Sequence, residues 1–558
     1  MCSMKILNRN ITITHWWYII FYFTLLVYAV GIPVTIMEPD AASYADVAME
    51  MVKRNNFLEI YLRGNDWLDK PHFQFWITAL SYKIFGINNF GYKFPAVLFS
   101  LLAVFYTYLF GKRFYSVKHG AIASIVLMTA QHFILSNNDV RAEPYLAALT
   151  IFALYYFARY LKDKKFWMLI LGSFGLACLL MTKGLFTILP VISAVGLSLI
   201  SEKKWSEIAN AQWALVILIT LVFTLPSLIG YYIQFDLHPE KVIFGRTHVS
   251  GIKFFFWDSQ WGRFTNTGPI KGEGDIFFYV HTMLWSFAPW AFLVIYGSYI
   301  KILDLIRNRG QEEKLTLFGF IFVFAVFSIS KFQLPHYLNQ LFPLMAIIAT
   351  TGLLASNKYR YALKIFFILQ IITIVLFGLL TTVLHIFYFS QILRVDVLLI
   401  LIVVWSITLY LFIREPSMLK KILIAPALFI LSVNYYLNRQ FYPHLLTYQS
   451  ESEVAYYMKD KGYPVEKLIF YEENEWITDF YLKTVIPEYN RQNLNNVQLA
   501  GKYVFTSDTG LQELKEKNYQ IDVLETFYDF HVTTLSGEFI NKKTRSETLH
   551  KNWLVRIR

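Results

Sequence analysis

"ALKIFFILQIITIVLFGLLTTVLHIFYF", residues 362–389, carries Lys364 and no other permanently charged side chain. A run this long and apolar can cross a bilayer as a helix, which needs about 20 apolar residues. It lacks the strict alternation of a barrel strand. In lipid only a helix or a closed barrel satisfies every backbone group. A second such run, "WWYIIFYFTLLVYAVGIPVTI", occupies 16–36. The chain of 558 residues is 56% hydrophobic, 18% aromatic and 16% charged, against about 25% charged in an ordinary soluble domain. These features define an α-helical polytopic membrane protein. Window length suggests about thirteen spans. They fall near 16–37, 92–111, 120–136, 144–161, 166–182, 184–200, 211–234, 276–300, 315–330, 338–355, 364–388, 393–413 and 421–437.

The first run is too long for a signal-peptide core and lacks a small-residue cleavage site, so it reads as a retained span. Cys2 and Cys178 are the only cysteines and suggest no disulfide framework. The net charge of +12 follows topology rather than nucleic acid. Lys5 and Arg9, Lys112, Arg113 and Lys118, Lys162, Lys164 and Lys165, and Lys203 and Lys204 mark alternate short loops. So do Lys301, Arg307, Arg309 and Lys314, then Lys358, Arg360 and Lys364, then Arg414, Lys420 and Lys421. The positive-inside rule puts these loops and the N-terminus in the cytoplasm, and an odd span count puts the C-terminus outside. Two long external loops result, 38–91 and 235–275. Past 440 the hydropathy falls, and 440–558 mixes strand-like and helix-like patterns ("VEKLIFYEENEWITDFYLKTVIPEY"). The expected division is a membrane domain, 1–439, and a small extracytoplasmic α/β domain, 440–558. No GxGxxG, P-loop, HExxH or paired CxxC occurs, which disfavours ATP-driven transport and zinc hydrolysis.

Several polar stretches then lie on the external side. "MEPDAASYADVAMEMVKR" begins where the first span ends, with Asp40 placed to cap a helix over 41–54 and Tyr44 one turn on. Ala42, Ala45, Val47 and Met51 share or flank one face of it. "GNDWLDKPHFQFW", 64–76, sets Lys70 between Asp69 and Pro71, with Trp67, Phe73 and Trp76 as interface anchors. Pro71 keeps Lys70 extended, and a fixed lysine at headgroup depth suits a phosphate. The segment 72–86 reads as a helix lying at the membrane surface. "NNDVRAEPYLAAL", 137–149, concentrates Asp139, Arg141 and Glu143 between two apolar runs, and Pro144 starts the next helix well. Lys183 stands in "LLMTKGLFTILP", Lys331, His336 and Tyr337 in "SKFQLPHYLNQLFP", and His281 in "GDIFFYVHTMLWSFAPW". Singly each has a bland explanation. Together, ionisable groups on one side of a membrane domain imply a polar cavity opening outward.

Asp40 with Tyr44, then "DKP", then an acid opening the fourth span, resembles the GT-C membrane glycosyltransferases. The nearest branches are the bacterial aminoarabinose transferases of lipid A and the protein O-mannosyltransferase-like group. "TKG", "LPHY" and "FAPW" resemble later motifs. Ala41, His72, Asp69 and Glu143 stand where those families usually have Glu, Pro, Glu and Asp. The resemblance implies a GT-C fold in the bacterial cytoplasmic membrane with an active site on the periplasmic side. It implies inverting transfer of a sugar from a polyprenyl-phosphate donor to a lipid A-like glycolipid or a protein. The chemistry of the residues agrees. A cation must meet the charge growing on the leaving phosphate, and Lys70 is the candidate, helped by Arg141 and Lys183. A carboxylate must take or orient the acceptor proton, and Asp40 is the candidate, with Glu143 second. Tyr44, Asp69, Asp139, His281, Lys331, His336 and Tyr337 are the remaining candidate substrate-binding residues. Acids and histidines sharing a cavity are compatible with a divalent metal, but none is predicted. The expected partners are membrane lipids, the donor and the acceptor, with no nucleic acid. The rival reading is a transporter or flippase of lipid-linked sugars; the absence of repeats and of mid-span polar residues argues against it. A third is an inactive scaffold.

Overall fold

The computed structural model describes residues 12–265, 267, 272–307, 313–389, 392–473, 476–494 and 498–558. Cys2, Lys5, Arg9, Arg309 and part of the loop 235–275 lie outside the described residues. The chain opens with helix α1 (Ile13–Gly31). Next come the amphipathic α2 (Asp40–Arg54) and a two-stranded hairpin of β1 (Tyr61–Leu62) and β2 (Asn65–Asp66). Arg63 and Gly64 form its turn at φ 53° and 77°, the left-handed backbone that tight hairpins require. Helices α3 (Phe73–Phe85), α4 (Asn89–Phe114), α5 (Val117–Met128), α6 (Gln131–Leu135), α7 (Glu143–Asp163), α8 (Phe166–Lys183) and α9 (Leu189–Ser201) follow.

Every apolar stretch expected to span is helical over most of its length. Among the described residues, eight helices are long and apolar enough to cross a membrane, and nine if a bent pair is one span. Val117–Met128, Leu185–Ser201 and Leu315–Ile329 are apolar but shorter. That test of length and composition selects fewer helices than the roughly thirteen windows. Several of the expected stretches are short helices, or broken ones whose breaks hydropathy cannot see. The stretch 276–300 is two helices, Phe278–Ser286 and Ala291–Ile306, bent by 117°. The stretch 120–136 breaks between α5 and α6, where the Thr129 hydroxyl donates to the Ile125 carbonyl (2.7 Å) and accepts from Trp290 Nε1 (3.1 Å). The Gln131 N–H leaves the helix for the Ala288 carbonyl (3.0 Å). Each break thus supplies the polar partner that the other needs.

Helix α3 covers the segment 72–86 expected to be helical. It packs on α2 and α4, while Leu80, Ile84 and Phe85 stay exposed. The outermost helices, Arg360–Tyr388 and Val395–Arg414, have only 17% and 28% of their apolar windows covered by protein, as lipid-facing helices do. The helix Met418–Tyr436 runs on through a π turn, Leu437–Phe441, before the chain enters its α/β part. There β3 (Leu468–Tyr471), β4 (Glu488–Tyr489), β5 (Tyr503–Ser507), β6 (Ile521–Asp529) and β7 (His550–Ile557) form one sheet of order β4-β3-β5-β7-β6. β3 runs parallel to β4 and β5, and β7 antiparallel to β5 and β6. Alternation along the strands splits two cores. Leu468, Phe470, Phe505 and Leu554 face the helical bundle, whereas Ile469, Tyr471, Val504 and Val555 face Leu511 and Leu514.

The C-terminal part is locked onto the first loop. Gln449 accepts from the Glu38 N–H (3.0 Å) and donates to the Ile36 carbonyl (3.0 Å). Glu38 accepts from the Ile477 N–H at 2.6 Å, and the Ile36 N–H donates to Tyr481 Oη. Arg63 reaches across to Asp479 (2.8 Å), to Glu488 and to the Ile486 carbonyl (2.6 Å). Asp46, Glu50 and Glu451 are also buried beside this contact. Neither carboxyl oxygen of Asp46 has a hydrogen-bond partner among the described residues. One arginine cannot keep so many buried acids ionised. Burial, then Glu451, pushes Glu38 up to about 8. Burial pushes Asp479 up to about 7 against Arg63, and Asp46 well above the carboxylate range.

These carboxyls hold protons in the folded chain that an unfolded chain releases near pH 4. The contact is therefore strongest in acid and weakens as pH rises through about 7 to 8. Asp46→Asn removes one acid without removing a hydrogen bond. It should raise the melting temperature by a few degrees at pH 8.5 and by clearly less at pH 5. A thermal-shift pH series on the purified protein measures this.

Candidate active site

Asp40 is the first residue of α2, yet it does not cap it. Pro39 holds the N-cap position and no side chain caps the turn. The Asp40 carboxylate instead accepts from Arg141 Nη1 at 2.5 Å and keeps 47% of its side chain exposed. Arg141 also donates to Asp139, from Nε at 3.0 Å and from Nη2 at 2.8 Å. Burial works against the Arg141 charge, but Asp139 and Asp40 outweigh it and raise its pKa. The loop carrying Arg141 is pinned from several sides. Tyr92 donates to the Val140 carbonyl (2.7 Å), Ser100 to Asn137 (3.0 Å), and Asn138 to Asn438 (2.7 Å).

Glu143 opens α7, with Pro144 in its first turn. Its side chain is only 4% exposed; Lys183 Nζ lies 2.8 Å away and His336 Nε2 3.7 Å away. Lys183 is the last residue of α8 and sits 4.4 Å above the Tyr337 ring. A cavity of about 720 Å³ lies beside them, lined by Lys183, Tyr337, Gln260, Tyr279 and Gln340 among others. On the other side of the 183–188 turn an apolar groove of about 1170 Å³ runs along α8 and α9 to Trp213 and Phe256.

Lys70 is buried, with Nζ 2.5 Å from Asp69 Oδ2. The segment around it is held by His72, whose Nε2 donates to the Leu58 carbonyl (2.8 Å) and whose Nδ1 accepts from Ser227 (2.7 Å). Burial lowers the His72 pKa to about 4, so it is a neutral staple rather than a proton carrier. Tyr44 joins the two halves of the site. Its ring meets Trp67 and Phe75 edge-on, at 6.3 and 5.6 Å between centroids. Burial, then Asp40, Asp69 and Glu143, raises its pKa, and Arg141 opposes them. The acid of the Lys70 pair and the acid of the Arg141 pair therefore both lie within electrostatic reach of one phenol.

The structure thus brings together Asp40, Tyr44, Asp69, Lys70, Asp139, Arg141, Glu143, Lys183, His336 and Tyr337. It does not bring in His281 or Lys331. His281 is exposed, and its ring meets that of Phe278 at 5.3 Å. The buried face of its helix consists of Tyr279, Thr282, Met283 and Ser286, and position 281 points away from it. Lys331 is exposed, and its backbone N–H donates to the Phe264 carbonyl. Two contributors escaped the sequence reading. His132 bonds Asn339 through Nδ1 at 2.9 Å and feels the Glu143 charge, but it is hidden inside an apolar run. Gln260 donates to the Lys183 carbonyl (3.3 Å) and accepts from the Phe186 N–H (3.3 Å), with no local motif to mark it. Among the described residues no group of three or more His, Cys, Asp or Glu side chains is placed to hold a metal ion.

Residues 69–229 match the family described as dolichyl-phosphate-mannose-protein mannosyltransferase. An uncharacterised protein of Aquifex aeolicus is 26% identical over 75% of this chain and 76% of its own length. The undecaprenyl phosphate-alpha-4-amino-4-deoxy-L-arabinose arabinosyl transferase of Shewanella sediminis is 26% identical over 69% of each chain. A Proteus mirabilis protein of the same name, numbered 2, is 23% identical over 58% of this chain and 56% of its own. The crystal structure of ArnT from Cupriavidus metallidurans bound to undecaprenyl phosphate superposes with a TM-score of 0.73. At 16% identity it covers 97% of this chain and 98% of that one. The chain therefore has that fold.

Gly184, directly after Lys183, has φ +89°, and a Cβ there would lie 2.3 Å from Gln260 Nε2. Gly184→Ala should cost about 1–3 kcal/mol in backbone strain and displace the Lys183–Glu143 pair. Adding Gln260→Ala relieves the clash but not the strain, so the double variant should recover only part of the lost melting temperature. Differential scanning fluorimetry in detergent reads both.

Proposed function

We propose that this chain, a membrane glycosyltransferase of GT-C type similar to the aminoarabinosyl transferases, moves a sugar from a polyprenyl-phosphate donor to a lipid A-like glycolipid. The observation that carries the reading is the convergence of three ion pairs, Lys70–Asp69, Arg141–Asp40 and Lys183–Glu143, around Tyr44 and the cavity beside Tyr337. The apolar groove along α8 and α9 suits a polyprenyl chain, and Lys183, in the chain between its lining residues Leu180 and Leu185, suits the phosphate.

Asp40 is the acid open to a substrate. It is half exposed, and Arg141 occupies one of its oxygens. In the proposed step the acceptor hydroxyl gives its proton to Asp40, and its oxygen attacks the anomeric carbon from the face opposite the phosphate. The bond from that carbon to the phosphate oxygen breaks, and the electron pair leaves with polyprenyl phosphate. Lys70, Arg141 and Lys183 meet the charge that develops there. The configuration inverts. Glu143 is buried and bonded to Lys183, so it acts as a positioning residue and not as the base. The positive-inside pattern supports an active site and C-terminus on the periplasmic face of the bacterial cytoplasmic membrane.

Asp40→Asn should lower turnover by about 10²–10⁴-fold with donor binding retained. Lys70→Ala should lower both turnover and donor binding. Transfer of label from a radiolabelled undecaprenyl-phosphate sugar to extracted glycolipid, in nanodiscs, measures this. Wild-type rates in both variants would defeat the reading. Movement of intact donor across liposomes without cleavage would favour a transporter instead.

A further inference from the structure

A second cleft, of about 650 Å³, opens between the β1–β2 hairpin and the C-terminal domain. Trp67 and Asn65 stand on its hairpin side; Trp476, Ile486 and Glu488 stand on the other. Both tryptophans are half-buried, packed against the core and still part of the cleft lining. Trp67 is shared with the candidate active site, where its ring packs on Tyr44 and Phe75.

The cation in the lining of this cleft, Arg63, is already engaged by Asp479, Glu488 and the Ile486 carbonyl. Asp66 is a neighbouring acceptor, fixed by Gln234 and Lys241 at 2.9 Å each. Glu488 and Asn65 are exposed at the mouth. Arg63 and Lys241 both already face carboxylates, so the cleft suits a phosphate less well than the surroundings of Lys70, Arg141 and Lys183 do. It offers aromatic faces to an apolar ring surface and carboxylate and amide oxygens to hydroxyl or amino donors. A saccharide ring has both features.

We propose that this cleft is a saccharide-binding subsite that holds the sugar of the acceptor, formed jointly by the first external loop and the C-terminal domain. The proposal rests on the transferase reading for the word acceptor, but not for the binding of a sugar. It separates the ligands by charge. The phosphate of the donor goes to Lys70, Arg141 and Lys183, and an uncharged or amino sugar goes to the tryptophan cleft, with Trp67 as the wall between them. It also gives the C-terminal domain a task, because without Trp476 and Glu488 the cleft has one side.

Saturation-transfer NMR on the full chain in nanodiscs, with N,N′-diacetylchitobiose as the probe, tests this independently of transfer. Wild type should saturate the sugar ring protons. Trp476→Ala should reduce the signal at least fivefold, while Trp476→Phe keeps most of it. Lys70→Ala should leave it intact, and excess inorganic phosphate should not displace the sugar. Asn65→Leu, at an exposed hairpin position, serves as the second variant if Trp476→Ala fails to fold, and should weaken the signal severalfold. No signal in wild type, an undiminished signal in the folded variants, or displacement by phosphate would each overturn the assignment. If the donor-cleavage assay fails while this pattern holds, the transferase reading falls and the saccharide site stands.

Discussion

The bridge from Arg141 to Asp40 and Asp139 is the interaction on which the site depends. It ties the first residue of α2 to the loop before α7, two elements far apart in the chain. In a mostly buried setting a guanidinium needs carboxylates, and those carboxylates need it. The same constraint recurs at Lys183 with Glu143 and at Lys70 with Asp69. The site is therefore preorganised before any substrate arrives. In the proposed reaction an incoming phosphate meets cations whose positions are already set, so little reorganisation is needed when charge develops.

The first loop divides its acids between two tasks. Glu38 and Asp40 are separated by one residue, yet Glu38 turns to the Ile477 N–H of the C-terminal domain and Asp40 to Arg141. Helix α2 then lies between site and domain, with Tyr44 on one side and Asp46 and Glu50 near Arg63 on the other. Docking the C-terminal domain thus holds the helix that carries the candidate base. A domain that looks appended in sequence is, in space, part of the support of the site. The buried acids at the contact make that support dependent on pH.

Much of the site was legible in the sequence because ionisable residues are costly in an apolar chain and stand out. Asp40, Lys70, Arg141, Glu143 and Lys183 could be found that way. Most of their pairings could not, because apart from Lys70–Asp69 and Arg141–Asp139 each pair joins different elements. The same rule pointed to His281, on the outer side of its helix, and to Lys331, exposed between two residues that line the cavity. It missed Gln260 and His132, whose polarity is ordinary and whose importance comes from what they touch. His72 stands where a proline is usual, and its role as a staple between Leu58 and Ser227 needed the fold to be seen.

Sequence alone settled the class of this protein. Apolar runs of membrane length leave the backbone no partner but itself, so helices follow from composition. The alternating patterns past residue 440 likewise marked a mixed α/β end. Only tertiary structure decided which apolar stretches break, as at Thr129 and at the bend before Ala291, because each break is stabilised by a polar group from the other. It also decided which acids meet which cations. Helix formation is a property of neighbouring residues. Charge pairing across a bundle is a property of distances that no local pattern encodes.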